Sequence, residues 1–164
     1  MQDLNTFHVM EDEVLFIDNL RSAAELPSMR MSYNSIVYCK TGRIVVEMGG
    51  NQQVKVAPGQ LLLIPTAKIV EPLLISTDAE VTALLISDRV LKSVLGNQIN
   101  IWNKAMYPNH FYVLNLSDEH LSLFDTLLPT FSRADTILKH EILVSLLRAG
   151  FLLVCDLFLL YNYS

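Results

Sequence analysis

The sequence predicts an α+β protein that is mainly β: an antiparallel β-barrel followed by two or three C-terminal helices. Up to about residue 86, short apolar runs are broken by Gly, Pro, Asn or Asp at close spacing, which is typical of antiparallel strands. From about residue 88 the apolar residues recur with helical periodicity, apart from a return to strand at residues 111–114. No linker rich in Pro, Gly or Ser separates the two patterns. We therefore expect one unit, with the barrel over residues 1–115 and a helical segment over residues 116–164 packed on it.

Seven short runs in the first half of the chain have the composition of strands. Residues 43–48 alternate most clearly: Ile44, Val46 and Met48 share one face, which we expect to point inward. Residues 60–65 are apolar almost throughout, as expected of a strand that is buried on both faces. The predicted strands span residues 14–17, 32–39, 43–48, 53–57, 60–65, 67–75 and 81–86.

Residues that favour tight turns separate these runs. Thr41-Gly42 follows the second strand, and Gly49-Gly50-Asn51 closes a hairpin, since these residue types tolerate positive φ. In Pro58-Gly59, Pro presets φ at the first central position of a type II turn and Gly supplies the positive φ at the second. Seven strands joined by such turns favour a closed or nearly closed barrel, which removes exposed sheet edges.

The helical part of the sequence predicts a short helix and two longer ones. The short helix covers residues 88–95. The second begins after Ser117, whose hydroxyl is a good N-cap, and ends near Ser132. Two acidic residues follow Ser117 directly, where the helix dipole favours negative charge. The final helix runs from about residue 137 to the end of the sequence.

The final predicted helix is apolar on most of its sides. Residues 142–161 are long enough to cross a hydrocarbon core of about 30 Å. They include Arg148 and Asp156, and each costs about 2.5 to 3.5 kcal/mol at the centre of a bilayer. A helix that is buried between two neighbours has the same composition. We therefore favour a buried helix over a membrane span.

Composition and charge limit the possible classes of function. Hydrophobic residues make up 51% of the chain and charged residues 18%, which excludes disorder and suggests that a partner covers part of the apolar surface. The net charge of -5 argues against contact with a nucleic-acid backbone. Cys39 and Cys155 lie far apart and form no metal-binding or disulfide pattern. The N-terminus carries no secretory signal pattern, so we expect a cytoplasmic protein.

The order of turns and strands in the first half resembles the cupin pattern. Residues 38–42, 54–59 and 61–65 carry the resemblance: a strand with a Gly turn, a hairpin that ends in Pro-Gly, and an apolar strand that ends in Pro. Cupin enzymes carry two His and a Glu after the first Gly and a further His beyond the last strand, and these residues bind a metal. Here only Glu47 is available, and the later stretch holds Lys68 but no His. The resemblance therefore implies a barrel without a metal.

A metal-free barrel followed by helices resembles the N-terminal half of AraC-like bacterial transcription regulators. Residues 147–153 and 159–161 look like the last linker helix of that half, which is the usual dimer contact in the family. The resemblance implies a non-enzymatic domain, without a cofactor, that senses a small molecule and forms a homodimer. DNA would be bound by a helix-turn-helix domain that this sequence does not include.

The final helix carries the candidate dimer interface. Its leucines and one glycine recur with the 3-4-3-4-3 spacing of a two-helix coiled coil, and the glycine allows close approach. The alternative is that this face only caps the barrel. We favour the dimer because the opposite face of the helix is also apolar, and two apolar faces need two neighbours. The predicted interface consists of Leu143, Leu146, Gly150, Leu153, Leu157 and Leu160.

Polar and aromatic residues near the barrel are candidates for binding a small ligand. They lie on or beside the second strand, or flank Tyr107-Pro108 in a predicted loop near the barrel mouth. Strand alternation places Asn34 and Tyr38 on one face and Tyr33 on the other, so they cannot all line one pocket. The alternative is that these side chains face solvent or only pack within the sheet and the core. The candidate ligand residues are Arg30, Asn34, Tyr38, Trp102 and His110.

Two other functions remain possible from the sequence alone. A metal-free cupin enzyme, similar to a sugar-nucleotide epimerase, would need a His or Tyr acid or base inside the barrel, and no His lies on the predicted inward strands. A purely structural dimerisation module would have a filled barrel. No motif of a hydrolase or a nucleotide-binding enzyme is present in the sequence.

Overall fold

The computed structural model describes residues 6–8, 13–20, 32–48, 52–66, 70–109, 112–127 and 138–162. Within these ranges the chain forms nine strands and four α-helices. The strands are β1 (Thr6–His8), β2 (Val14–Ile17), β3 (Tyr33–Thr41), β4 (Ile44–Met48), β5 (Gln52–Val56), β6 (Gln60–Ile64), β7 (Val70–Ile75), β8 (Glu80–Ser87) and β9 (Tyr112–Asn115). The helices are α1 (Asp88–Leu95), α2 (Ile99–Asn109), α3 (Asp118–Leu127) and α4 (Lys139–Asn162).

The strands form two antiparallel sheets. The large sheet has the order β1-β2-β8-β3-β6-β9, and the small sheet has the order β5-β4-β7. The predicted α+β fold, mainly β, is therefore confirmed, although the strands divide between two sheets instead of forming one continuous ring. The chain passes from the large sheet to the small one at Gly42, which has a φ of 75°. A Cβ there would lie 2.5 Å from the Cα of Ala79, so only glycine fits this crossing.

The core consists of two apolar layers, one on each side of the large sheet. The first layer lies between the two sheets and includes Ile44 and Val46, which confirms that this face of β4 points inward. The second layer lies between the large sheet and the helices. Strand β6 contributes Leu62 to the first layer and Leu61 and Leu63 to the second, as predicted for a strand buried on both faces.

Local capping explains where α1 and α3 begin. The Ser87 hydroxyl accepts a hydrogen bond from the backbone N–H of Val90, and Gly96 follows the last turn of α1, so the predicted helix over residues 88–95 is confirmed. The Ser117 hydroxyl accepts a hydrogen bond from the N–H of His120, which confirms Ser117 as the N-cap of α3.

Helix α2 stands where the sequence predicted a loop. That prediction was wrong because Asn and Pro in this stretch suggested irregular structure, whereas the spacing of Trp102 and Met106 buries both side chains on one helical face. Helix α2 packs against α4, so burial in the core outweighs the poor helix propensity of its polar residues.

Helix α4 is the one helix among the described residues that is long and apolar enough to cross a membrane, with a mean hydropathy of 2.2 over residues 140–160. One face of α4 is nevertheless in the core: Leu143, Leu147, Phe151, Val154 and Phe158 are each at most 1% exposed. A core helix of this kind meets the same criterion of length and composition as a membrane span.

Candidate functional site

The candidate functional site is the layer where the helices cover the large sheet, together with the outward side of α4. Strand β3 divides its residues between the two core layers. Ile36 and Tyr38 face the helices, and Cys39 and Val37 face the space between the sheets. The sequence made Asn34 and Tyr38 candidates for orienting a ligand near the barrel, and neither side chain lies between the two sheets. The pleat of β3 turns both side chains toward the helices instead.

Asn34 is buried at the junction of three elements. Its side-chain N–H donates to the carboxylate of Asp88 at 2.8 Å and to the carbonyl of Ile86 at 3.3 Å. Its side-chain oxygen accepts from the backbone N–H of Thr66 at 3.3 Å. The side chain is 2% exposed, and these contacts join β3 to the start of α1 and to the end of β6. The Asn34 side chain therefore forms its hydrogen bonds with other groups of the protein.

Tyr38 connects the large sheet to α3. Its hydroxyl donates to the carboxylate of Asp125 at 2.8 Å, and its ring lies 6.4 Å from the ring of Phe124. Burial raises the pKa of the Tyr38 phenol, and the hydrogen bond to Asp125 raises it further. Tyr38 therefore stays protonated and acts as a donor that tethers α3 to the sheet.

Trp102 lies in the core between α2 and α4. It is 3% exposed, and its ring centroid lies 5.6 Å from that of Phe151 and 6.3 Å from that of Phe158, with steeply tilted planes. Edge-to-face packing of this kind stabilises a helix pair. The other two candidate ligand residues, Arg30 and His110, lie outside the described residues, so their role stays a prediction.

A polar cluster closes one end of the large sheet. The Ser87 hydroxyl donates to the carboxylate of Glu13, and Arg89 forms an ion pair with the same carboxylate at 3.3 Å. The hydrogen bond from Ser87 is the main influence that lowers the pKa of Glu13, and Arg89 adds to it against the opposing effect of desolvation. Glu13 therefore stays ionised and fixes β2 to the start of α1.

A small apolar cavity lies between the large sheet, α3 and α4. Its volume is about 20 Å³. Ile36 and Leu84 form its floor on the sheet, Phe124 covers it from α3, and Leu146 and Phe151 close it from α4. Gly150 also borders the cavity, and a Cβ there would have no neighbour within 4 Å.

The predicted dimer interface on α4 divides between the core and the surface. Leu143 is 1% exposed and Leu157 is 5% exposed, which leaves these two side chains almost no surface for a partner. Leu146, Gly150 and Leu153 are half-buried, and Leu160 is 59% exposed. The apolar surface of α4 is therefore rotated relative to the predicted seam. We call it the outer stripe; its members are Ile142, Leu146, Ala149, Leu153 and Leu160, spaced as heptad positions.

An open groove of about 520 Å³ runs along α4 beside the start of α2, and Ala149 and Leu153 of the outer stripe border it. Ile101, Leu152 and Leu159 line it, and Asp156 adds a charge at its edge. Cys155 lies at its base and is 2% exposed. Burial raises the pKa of this thiol to about 11, so Cys155 is a neutral, apolar wall residue at neutral pH.

The described side chains offer no cluster for a metal ion. Within the ranges that the structure describes, no three His, Cys, Asp or Glu residues come together. Glu47, the one residue on β4 with a metal-binding side chain, therefore stands without the partners that a cupin metal site needs.

Solved structures share this arrangement of sheets and helices. The AraC-like transcriptional activator CuxR has a TM-score of 0.59, with 15% identity, 93% of this chain covered and 54% of that chain covered. Apo ToxT from Vibrio cholerae strain SCE256 has a TM-score of 0.56, with 10% identity and coverages of 94% and 55%. ToxT from the same strain with a bound unsaturated fatty acid has a TM-score of 0.51, with 11% identity and coverages of 90% and 50%. The chain has the fold of the matched half of these regulators.

The AraC-like fold accounts for both sheets and the helices, but the chain spans only about half of the length of the solved structures that it matches. No protein-family model matches the sequence, and no curated protein matches it significantly. The fold expected from the resemblance is thus confirmed by shape, at sequence identities of 10 to 15%.

Three residues of the site were missed in the sequence. Asp125 and Phe124 lie 87 and 86 positions from Tyr38, and no local pattern links residues so far apart. The sequence did carry a signal for Thr82, which is a polar residue within the apolar run of β8. In the structure its hydroxyl is buried, and it has no hydrogen-bond partner in the described part of the chain.

Proposed function

We propose that this chain is the effector-sensing and dimerisation part of an AraC-like transcription regulator, and that it catalyses no reaction. The observation that carries the proposal is the match of both sheets and the helices to CuxR over 93% of the chain. A regulator of transcription works where the DNA is, so the proposal includes a cytoplasmic location in a bacterium.

The proposed effector is a small apolar molecule held between the two sheets. The core layer between the sheets is lined by aliphatic side chains such as Leu15, Ile44 and Val81. ToxT, which shares the fold, has been solved with an unsaturated fatty acid bound. Sites for small molecules bind mainly through apolar contacts and use a few polar groups for orientation. Arg30 and His110 stay candidates for those polar groups.

The proposed dimer forms through the outer stripe of α4. Ile142 is 39% exposed and Leu160 is 59% exposed, and both lie on this stripe. A heptad stripe of aliphatic side chains is the usual seam of a two-helix coiled coil, and Asp156 occupies the one position of this stripe that is not aliphatic. The buried side of the same helix packs on the large sheet, so α4 connects the sensing core directly to the partner subunit.

DNA would be bound by a region that corresponds to the unmatched half of the longer regulators. The net charge of this chain, -5, does not suit a phosphate backbone. An effector that prefers one of two arrangements of α4 would shift the population of dimers competent to bind DNA.

A reporter fusion tests this function. The chain is fused to a DNA-binding domain that represses its promoter only as a dimer, and repression is measured with and without oleate as the probe. We expect the fusion to repress, the DNA-binding domain alone to fail, and oleate to change repression. With saturating oleate at about 100 times its Kd, the isolated chain should gain roughly 2.7 kcal/mol of stability.

The outcomes of this experiment separate the candidate functions. Repression that oleate and other small molecules leave unchanged, together with an unchanged melting temperature, would indicate a structural dimerisation module. A fusion that folds but never represses would contradict the proposed function altogether.

A further inference from the structure

We propose a second ligand site, outside the space between the sheets: the region under α3 binds a small uncharged amphiphile, an apolar chain or ring with one hydroxyl or carbonyl group. The site combines the small apolar cavity described above with the unpartnered hydroxyl of Thr82. Thr82 takes no part in the proposed dimer contact or in the layer between the sheets, whereas Leu146 of the cavity wall also belongs to the outer stripe.

The cavity supplies the apolar part of this site. Its lining comes from the sheet, from α3 and from α4, and every lining side chain is apolar. Apolar ligands occupy such cavities because their contacts replace water with close-packed carbon atoms. The space beside Gly150 extends the room along α4, since a Cβ at that position would meet no atom within 4 Å.

Thr82 supplies the polar end of the site. It lies opposite Tyr38 on the neighbouring strand, and Leu84 lies opposite Ile36 in the next pair of the same face. Thr82 is therefore one step along the helix-facing side from the floor of the cavity. Buried hydroxyls almost always have a hydrogen-bond partner in folded proteins, so the unpartnered hydroxyl of Thr82 is free to bond to a polar group that enters the site.

The charge around the site selects an uncharged ligand. Asp125 is the acidic group held over the sheet here, and it accepts a hydrogen bond from Tyr38. A second carboxylate brought under α3 would be repelled by Asp125 in partly desolvated surroundings. A hydroxyl or carbonyl group can hydrogen-bond to Thr82 without this repulsion.

The size of the cavity requires that α3 moves when the ligand enters. A volume of about 20 Å³ holds at most one water molecule. Within the described range of α3, only Phe124 is fully buried, and the hydrogen bond from Tyr38 to Asp125 is its polar tether to the sheet. An element held by so few contacts opens at low cost. The occupant would then press on Leu146 and Gly150 of α4, and this last consequence alone rests on the proposed function.

Octanol binding tests the site on the full chain. We measure the affinity of 1-octanol and of octanoate at pH 7 by calorimetry, and follow the fluorescence of Trp102, the single tryptophan, whose ring packs on Phe151 beside the cavity. We expect 1-octanol to bind at least about tenfold more tightly than octanoate, because the anion adds a charge beside Asp125.

Two variants assign the binding to this place. Thr82→Val keeps the shape of the side chain and removes its hydroxyl, so we expect about a tenfold loss of octanol affinity with the fold retained. Gly150→Leu fills the free space on α4 and should abolish binding. Thr126→Val is the matched control, because its hydroxyl is on the exposed side of α3 and bonds to the backbone of Ser122.

The proposal is overturned if wild-type protein does not bind 1-octanol, if octanoate binds as tightly as octanol, or if Thr82→Val and Gly150→Leu leave the affinity unchanged. The last result would place the alcohol elsewhere, such as between the sheets. The reporter fusion with oleate does not depend on these variants, so the two proposals fail separately.

Discussion

At the scale of single residues, the chain uses its few buried polar groups to position secondary-structure elements. Asn34 is the one polar or charged residue that is almost fully buried among the described residues, and its amide contacts β8, α1 and the end of β6. Tyr38 does the same for α3 through Asp125. These side chains fix where the helices lie on the large sheet, and that placement forms both the small cavity and the exposed side of α4.

Replacement of Asn34 should destabilise the fold. In Asn34→Ala the carboxylate of Asp88 and the backbone N–H of Thr66 lose a buried partner. We expect the free energy of unfolding to fall by about 2 to 3 kcal/mol, measured by urea denaturation. Asn100→Ala, at an exposed position in the first turn of α2, is the control and should stay within about 0.5 kcal/mol of wild type. A loss below that range for Asn34→Ala would show that water replaces the amide.

At the scale of elements, local patterns predicted most strands and two helix starts. Strands β2 and β4 and helix α1 agree with the predicted ranges because period-2 alternation, Gly turns and Ser or Asp caps act within a few residues. Helix α2 was missed because Asn and Pro surround its few apolar residues, so the i, i+4 spacing of Trp102 and Met106 was a weak local signal beside their packing in the core.

The site was harder to predict than the strands. Alternation showed correctly that Asn34 and Tyr33 lie on opposite faces of β3, but both faces of this strand are covered, so alternation could not say which layer each face meets. On α4 nearly every side is apolar, and the most regular leucine seam was partly buried: Leu143 and Leu157 turned out to be core residues. Which stripe faces outward depends on tertiary packing alone.

A substitution at Gly150 tests which face of α4 forms the dimer contact, the outer stripe or the seam predicted from the sequence. Glycine within a helix costs about 0.5 to 1 kcal/mol relative to alanine, and the structure has room for a Cβ at this position. If the outer stripe is the dimer seam, Gly150→Ala should raise the free energy of unfolding by about that amount and leave the dimer intact. Urea denaturation and solution mass provide the measurements.

The comparison variant for Gly150→Ala is Gly42→Ala. Its Cβ would lie 2.5 Å from the backbone of Ala79 at a φ of 75°, so this variant should be strongly destabilised. If Gly150→Ala instead weakens the dimer, a partner helix approaches α4 closely at Gly150, as the sequence-based seam predicted.

At the scale of the whole molecule, α4 contributes side chains to the core, to the small cavity under α3 and to the groove beside α2. Its outer stripe overlaps the cavity and the groove, because Leu146 lines the cavity and Ala149 and Leu153 line the groove. A rigid helix shared in this way carries a change at one surface to the others, because close-packed neighbours cannot deform independently. In the proposed regulator, α4 would thereby link an effector between the sheets to the distance between two subunits.

The number of subunits is a property of the whole molecule, and we predict a dimer. We expect light scattering to give a mass of about twice 18.5 kDa across a concentration series. The double variant Ile142→Asp with Leu160→Asp places two carboxylates on exposed positions of the outer stripe, where they cost little in the folded monomer but are desolvated in a dimer. This variant should therefore give a mass near 18.5 kDa with an unchanged helical circular dichroism signal.

Leu74→Asp is the matched control for this double variant, because Leu74 is a leucine of similar exposure, 44%, on the small sheet and far from α4 in sequence. It should remain dimeric. A folded double variant that keeps the dimeric mass would place the subunit contact elsewhere, and a wild-type chain that is monomeric at all concentrations would leave the outer stripe without a second subunit. A monomeric double variant beside a dimeric control would instead show that the aliphatic face of α4 holds the two subunits together, because a carboxylate at a comparably exposed leucine elsewhere leaves the dimer intact.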